Sequence, residues 1–202
     1  MASAALHIDV FNGDADGLCA LQQLRLAEPL PAERVTRVTG VKRHIRLLDD
    51  VTLPPRSGEI PPGAAVRVTV LDVSFAENRA GVERLLAAGA QVRYFDHHFA
   101  GEVPRHPALE THLDPSPRLC TSLLVDRYLG GAQRAWAVTG AFGDNLIEPA
   151  QEAAAELLPF LRVLAEELRR EGRSRERAVR VSRAWNPKGR RVRRAPAKTG
   201  TE

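Results

Sequence analysis

The sequence lacks several features that would place it in familiar classes of protein. Only two of its 202 residues are cysteine, Cys19 and Cys120, which is too few for a disulfide framework. No apolar run approaches the roughly 20 residues that a membrane-spanning helix needs. The start, MASAALHIDV, has neither the basic nor the apolar region of a secretory signal. We therefore expect a cytoplasmic protein that does not bind membranes.

Charge is unevenly distributed along the chain. Residues 169–202 hold 13 of the 29 Lys and Arg residues but only 3 of the 25 Asp and Glu residues, so the preceding part is acidic. The end of the chain is also rich in Pro and Gly and has little to bury. We expect a folded domain over residues 1–149, an amphipathic helical segment over 150–172 and a basic, disordered tail over 173–202. Such a tail either binds nucleic acid through phosphate groups or is simply solvated.

The stretch 12-NGDADG-17 places oxygen-bearing side chains on alternate residues, directly after the apolar run 6-LHIDVF-11. An EF-hand calcium loop has this spacing, but it needs a glutamate at its twelfth position, where this chain has Gln23. The run before the stretch also alternates like a strand, whereas an EF-hand loop follows a helix. The pattern therefore argues against calcium.

A second interpretation is the nucleophile turn of haloacid-dehalogenase-like phosphatases. The stretch 14-DADGL-18 fits that turn, with Asp14 as nucleophile, and 143-GDNLIE-148 resembles the acidic metal motif of that class. These enzymes also need a cation, usually lysine, shortly before the acidic motif. No lysine stands there, so an arginine such as Arg118 would have to replace it; the only lysines are Lys42, Lys188 and Lys198.

Three more apolar runs end in acidic or imidazole side chains. The runs 66-VRVTVLDVS-74, 90-AQVRYFDHH-98 and 135-AWAVTGAFGDN-145 deliver, in chain order, Asp72, then Asp96 with His97 and His98, then Asp144. Open α/β sheets keep their binding crevice at the carboxyl ends of their strands. We therefore expect these side chains and those of Asp14 and Asp16 to converge.

Strand and helix signals alternate along the chain. We expect strands at 6–11, 34–40, 66–73 and 90–95, helices near 18–27, 77–88, 119–129 and 132–142, and a strand or loop within 104–117. This alternation predicts an α/β fold with a mostly parallel sheet and helices on both faces, followed by C-terminal helices and the basic tail.

Together the motifs resemble the DHH phosphoesterase family, which includes RecJ-type single-strand exonucleases, nanoRNases and manganese inorganic pyrophosphatases. The four motifs of that family occur in order as 12-NGDADG-17, 70-VLDVS-74, 95-FDHH-98 and 139-TGAFGDN-145. The resemblance implies a DHH domain over residues 1–149. It also implies hydrolysis of phosphodiester or phosphoanhydride bonds in nucleotides or short oligonucleotides, by a hydroxide that two metal ions activate.

The resemblance implies two Mn²⁺ ions, with Mg²⁺ as an alternative, and carboxylate and imidazole ligands suit either metal. Asp72 would bridge the two ions. Asp14 would complete one site, and the other site would be completed by Asp16, His97 and Asp144. Asp72 and His98 would be the catalytic residues, His98 contacting the substrate phosphate or protonating the leaving group.

The first motif departs from the family at two positions. Some members carry a histidine where this chain has Val10, and RecJ-like members carry an aspartate where it has Asn12. An amide oxygen is a weaker metal ligand than a carboxylate or an imidazole. We therefore expect Asn12 to be at best a weak ligand and the metal dependence to lie in the millimolar range.

A helix is expected to begin near residue 119, and free backbone N–H groups at helix N-termini bind anions. Arg118, Thr121 and Ser122 are therefore candidate phosphate-binding residues, with ordinary helix capping as the alternative.

The segment after Asn145 differs from that of typical DHH enzymes, which carry a second domain that closes the cleft. It contains neither a glycine-rich run nor a histidine. An alternative function is therefore a non-catalytic DHH remnant that binds nucleotides or nucleic acid.

Overall fold

Five parallel strands form the centre of the computed structural model, which describes residues 5–41, 43–53 and 65–157. They are β1 Leu6–Asn12, β2 Val35–Gly40, β3 Val66–Leu71, β4 Gln91–Asp96 and β5 Leu109–Leu113. Their order in the sheet is β2-β1-β3-β4-β5, and every pairing between them is parallel. The predicted parallel α/β fold is confirmed.

Helices lie on both faces of the sheet, as predicted. They are α1 Ala15–Ala27, α2 Phe75–Ala87, α3 Thr121–Tyr128, α4 Arg134–Gly143 and α5 Ile147–Ala155, with 3₁₀ turns at Ala32–Arg34 and Leu47–Asp50. The first helix starts before the predicted residue 18. It does so because the Asp14 side chain caps it, accepting the backbone N–H groups of Asp16 and Gly17.

Each face of the sheet has its own core. On one face, alternate strand residues such as Val10, Val70 and Tyr94 pack against α2. On the other face, Phe11, Leu71 and Phe95 pack against α1 and α3. Strands that are buried on both faces read as nearly continuous apolar runs. This explains why the central strands could be predicted from the sequence.

The strand order reverses between β1 and β3, which are neighbours in the sheet although β2 lies between them in the chain. In open α/β sheets, such a switch point forms a crevice outside the carboxyl ends of the strands. Asp14 follows β1 and Asp72 follows β3. The fold therefore places both acidic residues at the crevice.

The sequence left open whether the region after β4 forms a strand or a loop, and the structure shows a strand there. Strand β5 lies within the region predicted as strand or loop, and it pairs with β4 at the edge of the sheet. Helix α5 runs across the boundary predicted at residue 149. The remainder of the 150–172 segment, from residue 158, and the whole 173–202 tail lie outside the described residues.

None of the helices in the described ranges is long and apolar enough to cross a membrane.

Candidate metal centre

The turn between β1 and α1 carries the first group of oxygen ligands. A Cβ at Gly17 would lie 2.2 Å from the backbone carbonyl oxygen of Asn12, so only glycine lets the helix start this close to the strand. The Asn12 Nδ2 group donates to Asp14 Oδ2 at 3.2 Å. Its Oδ1 atom is buried and has no hydrogen-bond partner among the described residues. A cation in the crevice would satisfy this oxygen.

Asp16 is buried against the N-terminus of α3. Its two carboxylate oxygens accept the backbone N–H groups of Thr121 and Ser122, both at 2.8 Å, and the Ser122 hydroxyl donates to the Asp16 carbonyl at 2.8 Å. The anion at this helix N-terminus is therefore the Asp16 carboxylate. These contacts hold the Asp16 side chain in place. Phosphate binding by Thr121 and Ser122 stays a prediction.

Asp72 occupies an unusual backbone conformation at the end of β3. Its φ is 57°, in the left-handed region that non-glycine residues seldom adopt. Its backbone N–H donates to the Phe95 carbonyl at 3.0 Å, and its side chain accepts the Thr121 hydroxyl at 3.2 Å. These contacts hold the Asp72 carboxylate beyond the strand end.

The His97 side chain lies between Asp72, which follows β3, and Asp144, which follows α4. Its Nε2 atom lies 3.4 Å from Asp72 Oδ1 and 3.7 Å from Asp144 Oδ2. Asp144 is the C-terminal cap of α4, and Asn145 turns the chain with a φ of 61°. A carboxylate is unfavourable at a helix C-terminus, where the dipole is negative. The placement of Asp144 is therefore better explained by the centre than by the helix.

The side chains form two overlapping groups that could hold a metal ion. One group is Asp16, His97 and Asp144, and the other is Asp72, His97 and His98; within each, the potential ligand atoms lie within 4.8 Å of one another. The structure thus brings together five of the residues that the sequence singled out. Asp14 belongs to neither group. Carboxylates and imidazoles are suitable ligands for Mn²⁺ or Mg²⁺.

The electrostatics of the centre favour added positive charge. Burial raises the pKa of Asp72 to about 7, and the charges of Asp16 and Asp14 add to this, although a hydrogen bond with His97 opposes it. Burial lowers the pKa of His97, but the hydrogen bond with Asp72 and the surrounding carboxylates outweigh burial and raise it to about 9. Without a metal ion, protons neutralise part of this negative charge.

His98 is oriented by Asp96, which was expected at the same strand end but was not predicted as a metal ligand or catalytic residue. Its Nδ1 atom lies 2.6 Å from Asp96 Oδ1, while Asp96 Oδ2 accepts the Phe75 backbone N–H at 3.0 Å. The hydrogen bond with Asp96 raises the pKa of His98. The sequence feature that could have indicated this role is the position of Asp96 at the end of a buried strand, directly before two histidines.

Arg118 is not brought to the centre. Its guanidinium contacts both carboxylate oxygens of Glu152, at 2.6 and 2.7 Å, and one of Glu148 at 3.5 Å. These partners lie on α5, so the Arg118 side chain is engaged by a neighbouring helix.

Comparison with known proteins gives structural neighbours only. No family model matches the sequence, and no curated protein matches it. The DHH domain of a member of the s1p family of ribosomal proteins is similar with a TM-score of 0.48 and 16% identity, covering 75% of this chain and 43% of that one. The exonuclease RecJ bound to manganese is similar with a TM-score of 0.43 and 21% identity, covering 80% and 47%.

This chain therefore spans less than half the length of each of these two proteins. Both are less than 25% identical to this chain and have TM-scores below 0.5, so these similarities support no inference about its activity.

Proposed function

We propose that this chain is a metal-dependent phosphoesterase that hydrolyses phosphodiester or phosphoanhydride bonds of nucleotides or short oligonucleotides. The observation that carries the proposal is the convergence of Asp16, Asp72, His97 and Asp144 at the crevice where the strand order reverses. Four elements that are distant in the chain contribute to one charged centre. A folding role alone would not require buried carboxylates to be gathered in this way.

We infer that the centre holds two divalent ions, Mn²⁺ or Mg²⁺. Asp14, Asp72 and the buried amide oxygen of Asn12 would hold one ion. The other ion would be held by Asp16, Asp72, His97 and Asp144. Two such ions, when bound, activate water and stabilise the charge that develops on the phosphoryl oxygens. Because Asn12 supplies a neutral oxygen, we expect millimolar metal dependence.

His98 is proposed as the residue that contacts the phosphate and donates a proton to the leaving group. Its Nδ1 atom is occupied by Asp96, which leaves Nε2 for the substrate. The raised pKa favours the protonated form that a general acid needs. Asp96 would act through His98 as a positioning residue.

We also propose a domain organisation for the chain. Residues 1–149 would form the catalytic domain. Nucleic-acid binding by the basic residues of 173–202 stays a prediction, with a tail that is simply solvated as the alternative. The cytoplasmic location predicted from the sequence stays a prediction.

Hydrolysis of bis-p-nitrophenyl phosphate with and without Mn²⁺ tests the proposal. We expect manganese-dependent turnover that Asp72→Ala abolishes and that Asp50→Ala, a change at a half-exposed residue outside the centre, leaves intact. His97→Ala should also abolish turnover, whereas a phosphatase that uses Asp14 as nucleophile would retain most of it. Absence of turnover, with Mn²⁺ still bound in calorimetry, would replace the proposal with the non-catalytic alternative.

A further inference from the structure

The residue after His98 is an exposed phenylalanine. Phe99 is 77% exposed, the highest value among the large apolar side chains in the described ranges. Phe, Trp and Tyr together make up only 5% of the chain. Other aromatic rings near this part of the sheet, those of Phe75, Tyr94 and Phe95, are fully buried. Phe142, Tyr128 and Trp136 are exposed to a lesser extent, at 41–44%, and Phe99 is the most exposed of these aromatic residues and the one that directly follows His98.

The backbone that carries Phe99 is anchored on both sides. Before it, Asp96 is fully buried and bonded to the first turn of α2. After it, Ala100 packs against the core cluster that contains Tyr94. The exposure of Phe99 is therefore a feature of a fixed segment and does not come from a loose loop.

Phe99 contributes little to folding. A fully buried phenylalanine stabilises a fold by about 1.5–3 kcal/mol, and a side chain that remains mostly exposed gains only a small part of this. What distinguishes its position is proximity to His98, since consecutive Cα atoms lie about 3.8 Å apart. In a nucleotide, a planar base is joined to the phosphate through a single sugar. A base attached to a phosphate at His98 would therefore lie near the segment that carries Phe99.

We propose that Phe99 stacks on a nucleobase of the substrate and that the centre selects base-bearing phosphoesters over inorganic phosphates. This inference rests on the proposed function for the placement of the phosphate. Stacking on an aromatic ring tolerates every base, because each has a π-face. The proposal therefore predicts preference for nucleotides as a class without preference for sequence.

Isothermal titration of the full chain with thymidine 5′-monophosphate and, separately, with inorganic phosphate tests the inference in the presence of Mn²⁺. Phe99→Ala should weaken nucleotide binding by between about 5-fold and about 150-fold and leave phosphate binding unchanged. Phe99→Trp should keep the nucleotide affinity, and Phe99→Leu should lose it. Trp136→Ala is the matched control, because this exposed aromatic lies on α4 about 12 Å along the helix from Asp144.

The inference is overturned if Phe99→Ala leaves nucleotide affinity unchanged, if it weakens phosphate equally, or if the unaltered chain binds the nucleotide no better than phosphate. Its outcome is separable from that of the proposed function. Nucleotide binding that depends on Phe99 without any turnover would end the phosphoesterase proposal and keep the stacking site. Turnover by the unaltered chain, together with unchanged nucleotide affinity in Phe99→Ala, would keep the phosphoesterase proposal and end the stacking site.

Discussion

The ion pair between Asp9 and Arg25 should contribute strongly to stability because it is buried. Asp9 lies on β1 and is 0% exposed, and Arg25 on α1 is 13% exposed. The guanidinium donates to both carboxylate oxygens, at 2.7 and 3.0 Å. Arg25→Met removes the cation and leaves the Asp9 carboxyl buried without its partner. Removal of one member of a buried pair costs about 3–5 kcal/mol, and we expect that loss here.

Urea unfolding at neutral pH measures the effect as a change in the free energy of unfolding. Arg79→Met is the matched control, because Arg79 also pairs with acidic side chains, those of Glu83 and Glu102, but is 39% exposed and screened by water. That variant should lose much less stability, because an ion pair in contact with water contributes little to folding. The contrast between the two arginines isolates burial as the cause.

The double variant Asp9→Leu with Arg25→Met completes the test. With neither charge left behind, most of the lost stability should return, since apolar replacements of buried pairs are often neutral. A single Arg25→Met variant that loses no more than the Arg79 control would refute the reasoning. Because α1 also carries Asp16, Mn²⁺ affinity is a useful second measurement on each variant that remains folded.

Two further predictions concern the centre itself. Asp96→Asn should lower the pKa of His98, because the hydrogen bond that raises this pKa would no longer be to a charged group. An NMR titration of the His98 ring measures the change, and an unchanged pKa would contradict the prediction. In the metal-free protein, Asp72 and His97 hold protons more tightly when folded than when unfolded, with folded pKa values of about 7 and about 9. Stability without metal should therefore fall as the pH rises through these values, and the stabilisation by Mn²⁺ should grow over the same range. Thermal unfolding with Mn²⁺ and with EDTA at several pH values measures both trends, and a metal effect that shrinks with rising pH would argue against the predicted ligands.

The sequence predicted the convergence of side chains where a motif ends a buried strand. Asp72 and His97 each follow an apolar run, and the edge of a parallel sheet then brings the strand ends together. The start of α1 was placed too late because Asp14 was interpreted as a metal ligand or a nucleophile and not as a helix cap. In the structure it also caps the helix, and both roles use the same carboxylate.

Contacts between distant helices were not predictable in the same way. Ser122 reaches Asp16 partly because α3 and α4 approach closely, and a Cβ at Gly140 would lie 2.1 Å from the Ser122 hydroxyl oxygen. Arg118 is engaged by glutamates on α5, about thirty residues further along the chain. Nothing in the local sequence around either residue specifies these partners, because they depend on how the helices pack.

Several features of the centre oppose stability in the absence of a cation. Asp72 is held in a left-handed conformation, which costs of order 1–3 kcal/mol. Asp144 places negative charge at the negative end of a helix, and the buried Asn12 oxygen has no partner in the described part of the chain. The two proposed ions would relieve the last two features: one ion would bind the amide oxygen of Asn12, and the other would neutralise the Asp144 carboxylate. The proposed metal site therefore accounts for features that independent structural contacts leave unexplained.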